Sequence, residues 1–352
     1  MMRAMPLLPD MPRVLVLDPA RPDAAGIQEA ARALRQGKLV AFPTETVYGL
    51  GARASDEGAI ERVFRAKGRP AHHPLIAHVT GEGDARALAS SWPRAASLVA
   101  EAFWPGPVTV VVERAAGVPA SLAGGGASVA IRAPSHPVAL ALLAALGEPI
   151  AAPSANRYQS LSPTTAAHVV KQLGDAVDLV LDGGACEEGI ESTVVDVRGP
   201  TPRVLRPGAL GLAELRRVLP GIAVDAPGES AAPDAPRASP GMDACHYTPR
   251  APLQVAESWD AACRTAQELV SRRPGAGPVG LVVYGVTPPP TAGVVHRVLP
   301  EAPALYARRF YDTLHGLDDA GASAIVVQRV PAGEGWWAIA DRLRRAATPR
   351  AH

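Results

Sequence analysis

Short apolar segments alternate with amphipathic helical segments through residues 13–210, and this alternation restricts the possible folds more than any other feature of the sequence. Residues 13–17 and 38–42 are short and apolar, and the helical pattern between them stops at Gly37, a residue that commonly ends helices. Polar or cationic residues follow almost every predicted strand. The pattern predicts one α/β domain built around a concave site at the ends of its strands.

A change of composition near residue 221 divides the chain in two. From Asp225 onward the sequence is rich in Pro, Ala and Gly and has no periodicity, which is typical of a linker. A second α/β pattern then begins, with helices predicted at 257–272, 301–315 and 338–347 and strands at 279–284, 294–299 and 324–329. We therefore predict a catalytic domain over 13–215, a linker over 216–250 and a smaller Rossmann-like domain over 251–349.

The charge and cysteine content narrow the functional class. The 352 residues include 35 Lys and Arg against 34 Asp and Glu, a net charge of +1, so no global field attracts the protein to nucleic acid or to a membrane. No segment approaches the ~20 apolar residues of a membrane span, and the N-terminus lacks the apolar core of a signal peptide. Cys186, Cys245 and Cys263 have no metal-like spacing and favour a reducing compartment. We expect a cytoplasmic protein.

Two stretches far apart in sequence carry side chains suited to binding an anion. Lys67 and Arg69 end a predicted helix, and Ser154 and Asn156 follow a predicted strand. Arginine is a planar fork that fits phosphate, lysine is a mobile point charge, and serine and asparagine add neutral donors. These residues predict a nucleotide-phosphate site. The alternative is that the two cations only complement the dipole at the end of their helix.

A polar turn and an arginine at a strand end indicate a second binding region. Thr44 and Thr46 lie in the turn after the strand 38–42, where open α/β sheets present ligand groups. Arg132 ends the strand 128–132 and is placed to bind a carboxylate. Two structural alternatives stay open: a threonine-capped turn with Tyr48 in the core, and a surface salt bridge for Arg132.

Three histidines follow the first cationic stretch, at His72, His73 and His78. No carboxylate or cysteine stands nearby at ligand spacing, so the sequence favours hydrogen-bond donation to a phosphate or carboxylate over a zinc site. In the linker, residues 239–249 carry more features than a spacer requires. His246 and Tyr247 in this strap could close over a ligand, although the strap could also be an ordinary loop.

Taken together, these segments resemble the YrdC-like family of threonylcarbamoyl-AMP synthases in its long, two-domain form. The resemblance covers nearly the whole chain and rests on the motifs Pro43–Gly51, Lys67–Arg69, His73–Ile76, Trp104–Thr109, Ser128–Arg132, Ala152–Asn156, Glu191–Thr193, Leu205–Gly208 and Ser239–Pro249. It implies a YrdC-like twisted open sheet with a concave active site, plus a Rossmann-like C-terminal domain. It also implies that L-threonine, bicarbonate and ATP are condensed to threonylcarbamoyl-AMP and pyrophosphate, for N6-threonylcarbamoylation of adenosine 37 in tRNA.

The resemblance implies roles for individual side chains. Lys67 and Arg69 would be catalytic through the triphosphate. The other expected ATP-binding residues are His73, Ser128, Ser154, Asn156, Ser162, Arg206, His246 and Tyr247. The expected threonine-binding residues are Arg132, on the carboxylate, and Thr44, Thr46, His78 and Ser192 around the amine and hydroxyl. We expect no protein-held metal, because Mg²⁺ would bind mainly through the ATP phosphates, and no organic cofactor. His73 stands where asparagine is common in the family, which leaves its contact with ATP in doubt.

Partners and rival functions follow from the same residues. The product would pass to a tRNA threonylcarbamoyl transferase complex, with at most a weak direct RNA contact and no membrane partner. The first rival is a double-stranded RNA-binding or ribosome-maturation factor, because a cationic concave surface also suits an RNA backbone. The second is a carbamoyl transferase of the hydrogenase-maturation kind, for which the expected zinc-finger cysteines are missing.

Overall fold

The computed structural model describes residues 11–224, 241, 245–272 and 275–348. An 11-stranded sheet and a four-stranded sheet lie in succession along the chain. The predicted α/β class with two domains is therefore confirmed. Within the described ranges, no helix has both the length and the apolar character needed to cross a membrane.

The first domain surrounds the larger sheet, whose strand order is β1-β8-β2-β3-β7-β4-β6-β5-β9-β10-β11. Its strands are β1 (Arg13–Val16), β2 (Val40–Phe42), β3 (Gly49–Arg53), β4 (Ile76–His78), β5 (Val108–Glu113), β6 (Ser128–Arg132), β7 (Ile150–Ala151), β8 (Leu179–Asp182), β9 (Thr193–Asp196), β10 (Arg203–Arg206) and β11 (Ala223–Val224). Its helices are α1 (Ala24–Arg35), α2 (Glu57–Lys67), α3 (Glu82–Ala87), α4 (Arg94–Phe103), α5 (Pro137–Leu146), α6 (Ala166–Leu173) and α7 (Leu212–Val218). The sheet is mixed, since β4 and β6 are parallel whereas β7 runs antiparallel to both of its neighbours.

The second domain is built on an all-parallel sheet of order β12-β15-β13-β14. Its elements are β12 (Leu253–Ala256), α8 (Trp259–Arg272), β13 (Val279–Tyr284), β14 (Val294–Leu299), α9 (Pro303–Asp319), β15 (Ala324–Gln328) and α10 (Trp337–Ala346). Parallel strands are buried on both faces and therefore read as continuous apolar runs. This is why β13 and β15 stand out in the sequence.

Several boundaries differ from the sequence prediction. The sequence pattern also predicts a helix over 84–91 and a cap at Ser162 or Thr164 for the helix that follows them. Helix α3 instead begins earlier and is shorter, and α6 is capped by the Thr165 side chain. Helix α7 and strand β11 continue the secondary structure of the first domain to Val224, past the predicted boundary at 215. Residues 225–240 of the linker, residues 239, 240 and 242–244 of the strap and residue 349 lie outside the described residues.

Strand β3 was missed because it is glycine-rich. The segment GLGAR lacks the apolar alternation that predicts a strand, yet it pairs antiparallel with both β2 and β7. A Cβ at Gly51 would lie 2.9 Å from the Phe42 ring and 3.0 Å from the Val40 carbonyl oxygen. Glycine therefore permits the close approach of these strands, which brings the Thr44–Val47 turn to the end of β7.

The two domains share one apolar interface. Val47, Leu161 and Ile190 of the first domain belong to the same buried cluster as Phe310 and Tyr311 of α9. At Gly189, which has a φ of +73°, an added Cβ would lie 2.5 Å from the backbone of Arg308 in α9. Helix α9 therefore lies directly against the loops that carry several of the predicted site residues.

Candidate functional site

A cleft lies where the ends of several strands of the large sheet meet the strap. Ten of the predicted site residues line it: Thr44, Thr46, Arg69, His78, Arg132, Ser154, Ser192, Arg206, His246 and Tyr247. Lys67, His73, Ser128, Asn156 and Ser162 are not among its lining residues. The strand-end pattern thus located the cleft, while five of the predicted side chains are not part of its lining.

Lys67 joins the two stretches from which the anion site was predicted. Helix α2 ends at Gly68, which has a φ of +63°, and the buried Lys67 ammonium donates to the carbonyl oxygens of Ser154 and Asn156, each at 2.5 Å. Burial lowers the pKa of Lys67, and the neighbouring charge of Arg69 lowers it further. The Lys67 ammonium therefore does not cap its own helix; it holds the loop that carries Ser154.

Arg69 and Arg206 are two of the cationic residues that line the cleft, and Ser154 and Ser192 line it as well. Arg69 donates to the Pro74 carbonyl oxygen at 3.1 Å. Arg206 donates to the carbonyl oxygen of Ser192 at 2.8 Å and to its hydroxyl at 3.2 Å. The backbone contacts fix both guanidinium groups at the cleft wall, where planar donor forks are suited to phosphate oxygens.

Arg132 is held in place on three sides and is buried, so the surface salt bridge considered for it is wrong. Its guanidinium forms an ion pair with Glu45 at 2.5 Å, donates to the Thr46 hydroxyl at 2.7 Å and donates to the Gly106 carbonyl oxygen at 3.2 Å. Glu45 also accepts the Ser135 amide at 3.0 Å. The sequence had given Glu45 no role, although it lies between the two predicted threonines. A guanidinium fixed this firmly can present a constant donor geometry to a carboxylate.

The threonines of the Thr44–Val47 turn both stabilise the turn and line the cleft. The Thr44 hydroxyl donates to the Val47 carbonyl oxygen at 2.6 Å and lies 2.9 Å from the Thr46 hydroxyl, while Tyr48 is fully buried. The turn is therefore capped by a threonine and has Tyr48 in the core, as the structural alternative predicted. Both threonines nevertheless line the cleft.

His78 lies at the end of β4 within the same cleft. Burial, together with the charge of Arg132, lowers its pKa to about 3, so the imidazole is neutral near pH 7. Across the described part of the chain, no group of three or more His, Cys, Asp or Glu side chains is arranged to hold a metal ion.

The predicted residues outside the cleft lining have other contacts. Asn156 donates from its side-chain amide to the carbonyl oxygens of Arg157 and Ser160, and Ser162 donates to the Glu191 carboxylate at 2.5 Å. His73 is buried, with its ring against Tyr158. Ser128 begins the strand that Arg132 ends, so roughly 13 Å separates the two at strand spacing. Their proposed contacts with ATP stay predictions.

The described part of the strap, Gly241 and residues 245–249, contributes a wall of the cleft through Gly241, His246 and Tyr247. Tyr247 has a φ of +61°, a left-handed conformation that is uncommon for a residue with a side chain. Burial lowers the pKa of His246 well below its usual value, and the charges of Arg69 and Lys67 act in the same direction. His246 is therefore a neutral ring among cations.

Glu191 is a cleft residue whose partners the sequence did not reveal. Its buried carboxylate accepts from Ser162, from the Tyr311 hydroxyl at 3.2 Å and from the Arg342 Nε at 2.8 Å. Burial alone raises the pKa of Glu191, but the charges of Arg342 and Arg206 and the hydrogen bonds outweigh burial and leave the pKa below its usual value. Tyr311 and Arg342 belong to the second domain, and no sequence signal marks partners 120 and 151 residues away.

Comparison with known proteins gives matches over both domains. A Sua5/YciO/YrdC family model, described as telomere recombination, matches residues 32–208. A second model, described as the C-terminal domain of threonylcarbamoyl-AMP synthase, matches residues 210–348. The two models together cover most of the described chain.

Relatives of full length are also similar to this chain. A threonylcarbamoyl-AMP synthase of Pyrococcus abyssi is 39% identical, with 91% of this chain and 94% of the relative aligned. A threonylcarbamoyl-AMP synthase of Bacillus subtilis is 36% identical, with 92% of this chain and 93% of the relative aligned. The crystal structure of P. abyssi Sua5 complexed with L-threonine has a TM-score of 0.87 and 38% identity, covering 95% of this chain and 97% of that one.

Proposed function

The chain belongs to the threonylcarbamoyl-AMP synthase family, and from this membership we propose that it condenses L-threonine, bicarbonate and ATP to threonylcarbamoyl-AMP and pyrophosphate. It would therefore act as a nucleotidyltransferase. The observation that carries the proposal is a single cleft lined by the fixed guanidinium of Arg132, which is suited to a carboxylate, and by the cations Arg69 and Arg206, which are suited to phosphate. A condensation of an amino acid with a nucleotide needs both kinds of group in one cavity.

Threonine binds at the Arg132 end of the cleft in this proposal. Its carboxylate takes the outward donors of the Arg132 guanidinium, which Glu45 and Thr46 hold from behind. The Thr44 and Ser192 hydroxyls can each donate or accept a hydrogen bond, so they suit the amine and hydroxyl of threonine. His78 is neutral and lies in the same wall, so it adds no positive charge beside the amine of threonine.

The reaction has two covalent steps. The threonine amine, once its ammonium form has lost a proton, forms a C–N bond with the carbon of bicarbonate. A C–O bond of bicarbonate breaks, and that oxygen leaves as water with one of the two amine protons, which gives N-carboxy-threonine. A carboxylate oxygen of this carbamate then attacks the α-phosphorus of ATP, and the bond to the bridging oxygen breaks so that pyrophosphate leaves with the electron pair. Catalysis of such a displacement depends mostly on positioning and on stabilising negative charge. Arg69 and Arg206 supply the charge, and Lys67 fixes the loop that presents Ser154.

Magnesium fits this site as an ion carried by its nucleotide. The cleft faces the nucleotide with cations and hydroxyls, which bind phosphate oxygens, and the carboxylate that lines it, Glu191, already accepts from Ser162, Tyr311 and Arg342. The phosphate oxygens would then be the main Mg²⁺ ligands. When bound, Mg²⁺ neutralises part of the charge that develops on the leaving pyrophosphate.

The product is a mixed carbamic–phosphoric anhydride, which transfers its threonylcarbamoyl group readily. In this proposal the acceptor is N6 of adenosine 37 in tRNA, with a tRNA threonylcarbamoyl transferase complex as the partner in the cytoplasm. A near-neutral chain gives no strong field for RNA, in agreement with a weak direct RNA contact at most.

The activity is tested by incubating the purified full chain with ATP, L-threonine and labelled bicarbonate. We expect pyrophosphate release that requires threonine, together with label in a product that co-migrates with threonylcarbamoyl-AMP. Omitting threonine or replacing it with alanine, which lacks the hydroxyl, serves as the control. Pyrophosphate release that is independent of threonine, or its complete absence, would refute the proposal.

A further inference from the structure

Arg342 is a fully buried arginine of α10 in the second domain, and its guanidinium contacts the first domain and the strap at once. Its Nε donates to the Glu191 carboxylate at 2.8 Å, and one Nη donates to the Pro207 carbonyl oxygen at 3.0 Å. The other Nη donates to Asp341 at 2.8 Å. The guanidinium carbon also lies 4.8 Å from the centre of the Tyr247 ring, a cation–π contact.

Apart from Asp341, each of these partners lines the cleft or is the immediate chain neighbour of a residue that does. Glu191 lines the cleft and precedes Ser192, and Pro207 directly follows Arg206. The Ser192 and Arg206 side chains contact each other across the cleft wall. A single guanidinium therefore holds both segments, and Arg342 is not itself among the residues that line the cleft.

The contact with Tyr247 matters because the backbone of this residue is strained. A left-handed φ of +61° persists in a residue with a side chain only where the surroundings enforce it. The ring of Tyr247 is enclosed by Arg342 on one side and by the Tyr311 ring at 5.9 Å. The second domain thus supplies two of the groups that hold this part of the strap against the cleft.

We propose that Arg342 is a positioning residue of the active site, which uses one buried guanidinium to hold the Glu191–Ser192 segment, the Arg206–Pro207 segment and Tyr247 in their reactive arrangement. The inference deepens the proposed function and rests on it for the identity of the substrates. It assigns the second domain a direct part in forming the cleft without contact with substrate. Lysine cannot replace this arginine, because an ammonium has no planar fork with which to bridge a carboxylate and a carbonyl.

The test compares three variants of the full chain, Arg342→Lys, Arg342→Met and the double variant Glu191→Gln/Arg342→Met. The control is Arg329→Met, which removes another arginine of the second domain, ion-paired with Glu257 and half-exposed at the surface. We expect kcat for threonine-dependent pyrophosphate release to fall at least tenfold in all three variants and to stay within twofold of wild type in the control. A misplacement of about 1 Å can lower a rate by roughly 10²-fold.

The double variant separates positioning from stability. Arg342→Met leaves a buried carboxylate without its cation, which lowers the melting temperature, and Glu191→Gln removes that unpaired charge. We expect the double variant to regain most of the lost melting temperature while kcat stays low. If kcat returns together with the melting temperature, or if Arg342→Lys has wild-type kcat, Arg342 serves only stability and the proposal is overturned.

Backbone hydrogen exchange gives a readout that does not depend on the reaction. The Ala209 amide donates to the Glu191 carbonyl oxygen and therefore reports on the contact between the Glu191 and Arg206 segments. The Thr248 amide donates to the Gln159 carbonyl oxygen and therefore reports on the strap next to Tyr247. We expect their exchange to quicken at least tenfold in Arg342→Lys and in the double variant and to be unchanged in Arg329→Met. Unchanged exchange in Arg342→Lys and in the double variant overturns the proposal about Arg342, even if the wild-type protein proves inactive. An inactive wild-type protein whose Arg342 variants show quickened exchange overturns only the proposed function.

Discussion

A substitution at Gly208 tests how closely the end of β10 must approach the start of β9 in the cleft wall. A Cβ added at this position would lie 2.3 Å from the carbonyl carbon of Ser192 and 2.4 Å from both the Glu191 carbonyl oxygen and the Thr193 amide nitrogen. All three contacts are with backbone, so no side-chain rotation relieves them. We therefore predict that Gly208→Ala separates the Arg206–Gly208 segment from the Glu191–Thr193 segment.

The size of the effect follows from the distances. Carbon atoms rest at about 3.5–4.0 Å, so the two segments must separate by about 1 Å. Overpacking of this kind costs typically about 1–3 kcal/mol of the free energy of unfolding. Because Ser192 and Arg206 line the cleft, a shift of about 1 Å is expected to lower kcat/KM by roughly 10²-fold.

The assay measures both quantities on the same protein, with urea unfolding for stability and threonine-dependent pyrophosphate release for activity. Gly316→Ala is the matched control, because Gly316 lies in helix α9 and a Cβ there would have nothing within 4 Å. Alanine favours helix over glycine by about 1 kcal/mol, so this variant is expected to be more stable and fully active. A Gly208→Ala protein with wild-type stability and wild-type kcat/KM would show that the close approach has no such role.

Two further predictions concern the threonine end of the cleft and the domain interface. Arg132→Lys removes the planar guanidinium that joins Glu45 to Thr46. Steady-state kinetics should then show a KM for threonine about 10- to 100-fold higher, as expected for the loss of a charge-assisted hydrogen bond. The KM for ATP should change less. An unchanged KM for threonine contradicts the role assigned to Arg132. Burial, and then the neighbouring His168, lower the pKa of His315 from 6.5 to about 3, so its neutral form stabilises the fold above pH 6.5 and this stabilisation is lost as the pH falls towards 3. Between pH 7 and pH 5 His315 should account for a loss of about 2 kcal/mol in the free energy of unfolding. The free energy of unfolding measured with urea should therefore depend less on pH in His315→Gln over this range. An equal pH dependence in the variant and the wild type contradicts the assignment.

Local sequence patterns were sufficient for the architecture and for the location of the cleft. The apolar runs of β13 and β15 and the polar residues after β2 and β6 each depend on a few neighbouring residues. Short-range periodicity therefore predicts them. Strand β3 escaped prediction because its glycines are required by the Phe42 ring and the backbone of β2, a contact that exists only after the strands have paired.

The partners within the site were decided by the tertiary structure. The sequence predicted that Lys67 ends a helix and that Ser154 follows a strand, but only the fold directs the Lys67 ammonium to a backbone carbonyl 87 residues away. Likewise, Glu191 was recognised as part of a motif, yet its contact with Arg342 spans 151 residues and two domains. Side-chain type specifies what a group can bind, whereas a buried ion pair between distant segments exists only when the packing of both domains removes water from it.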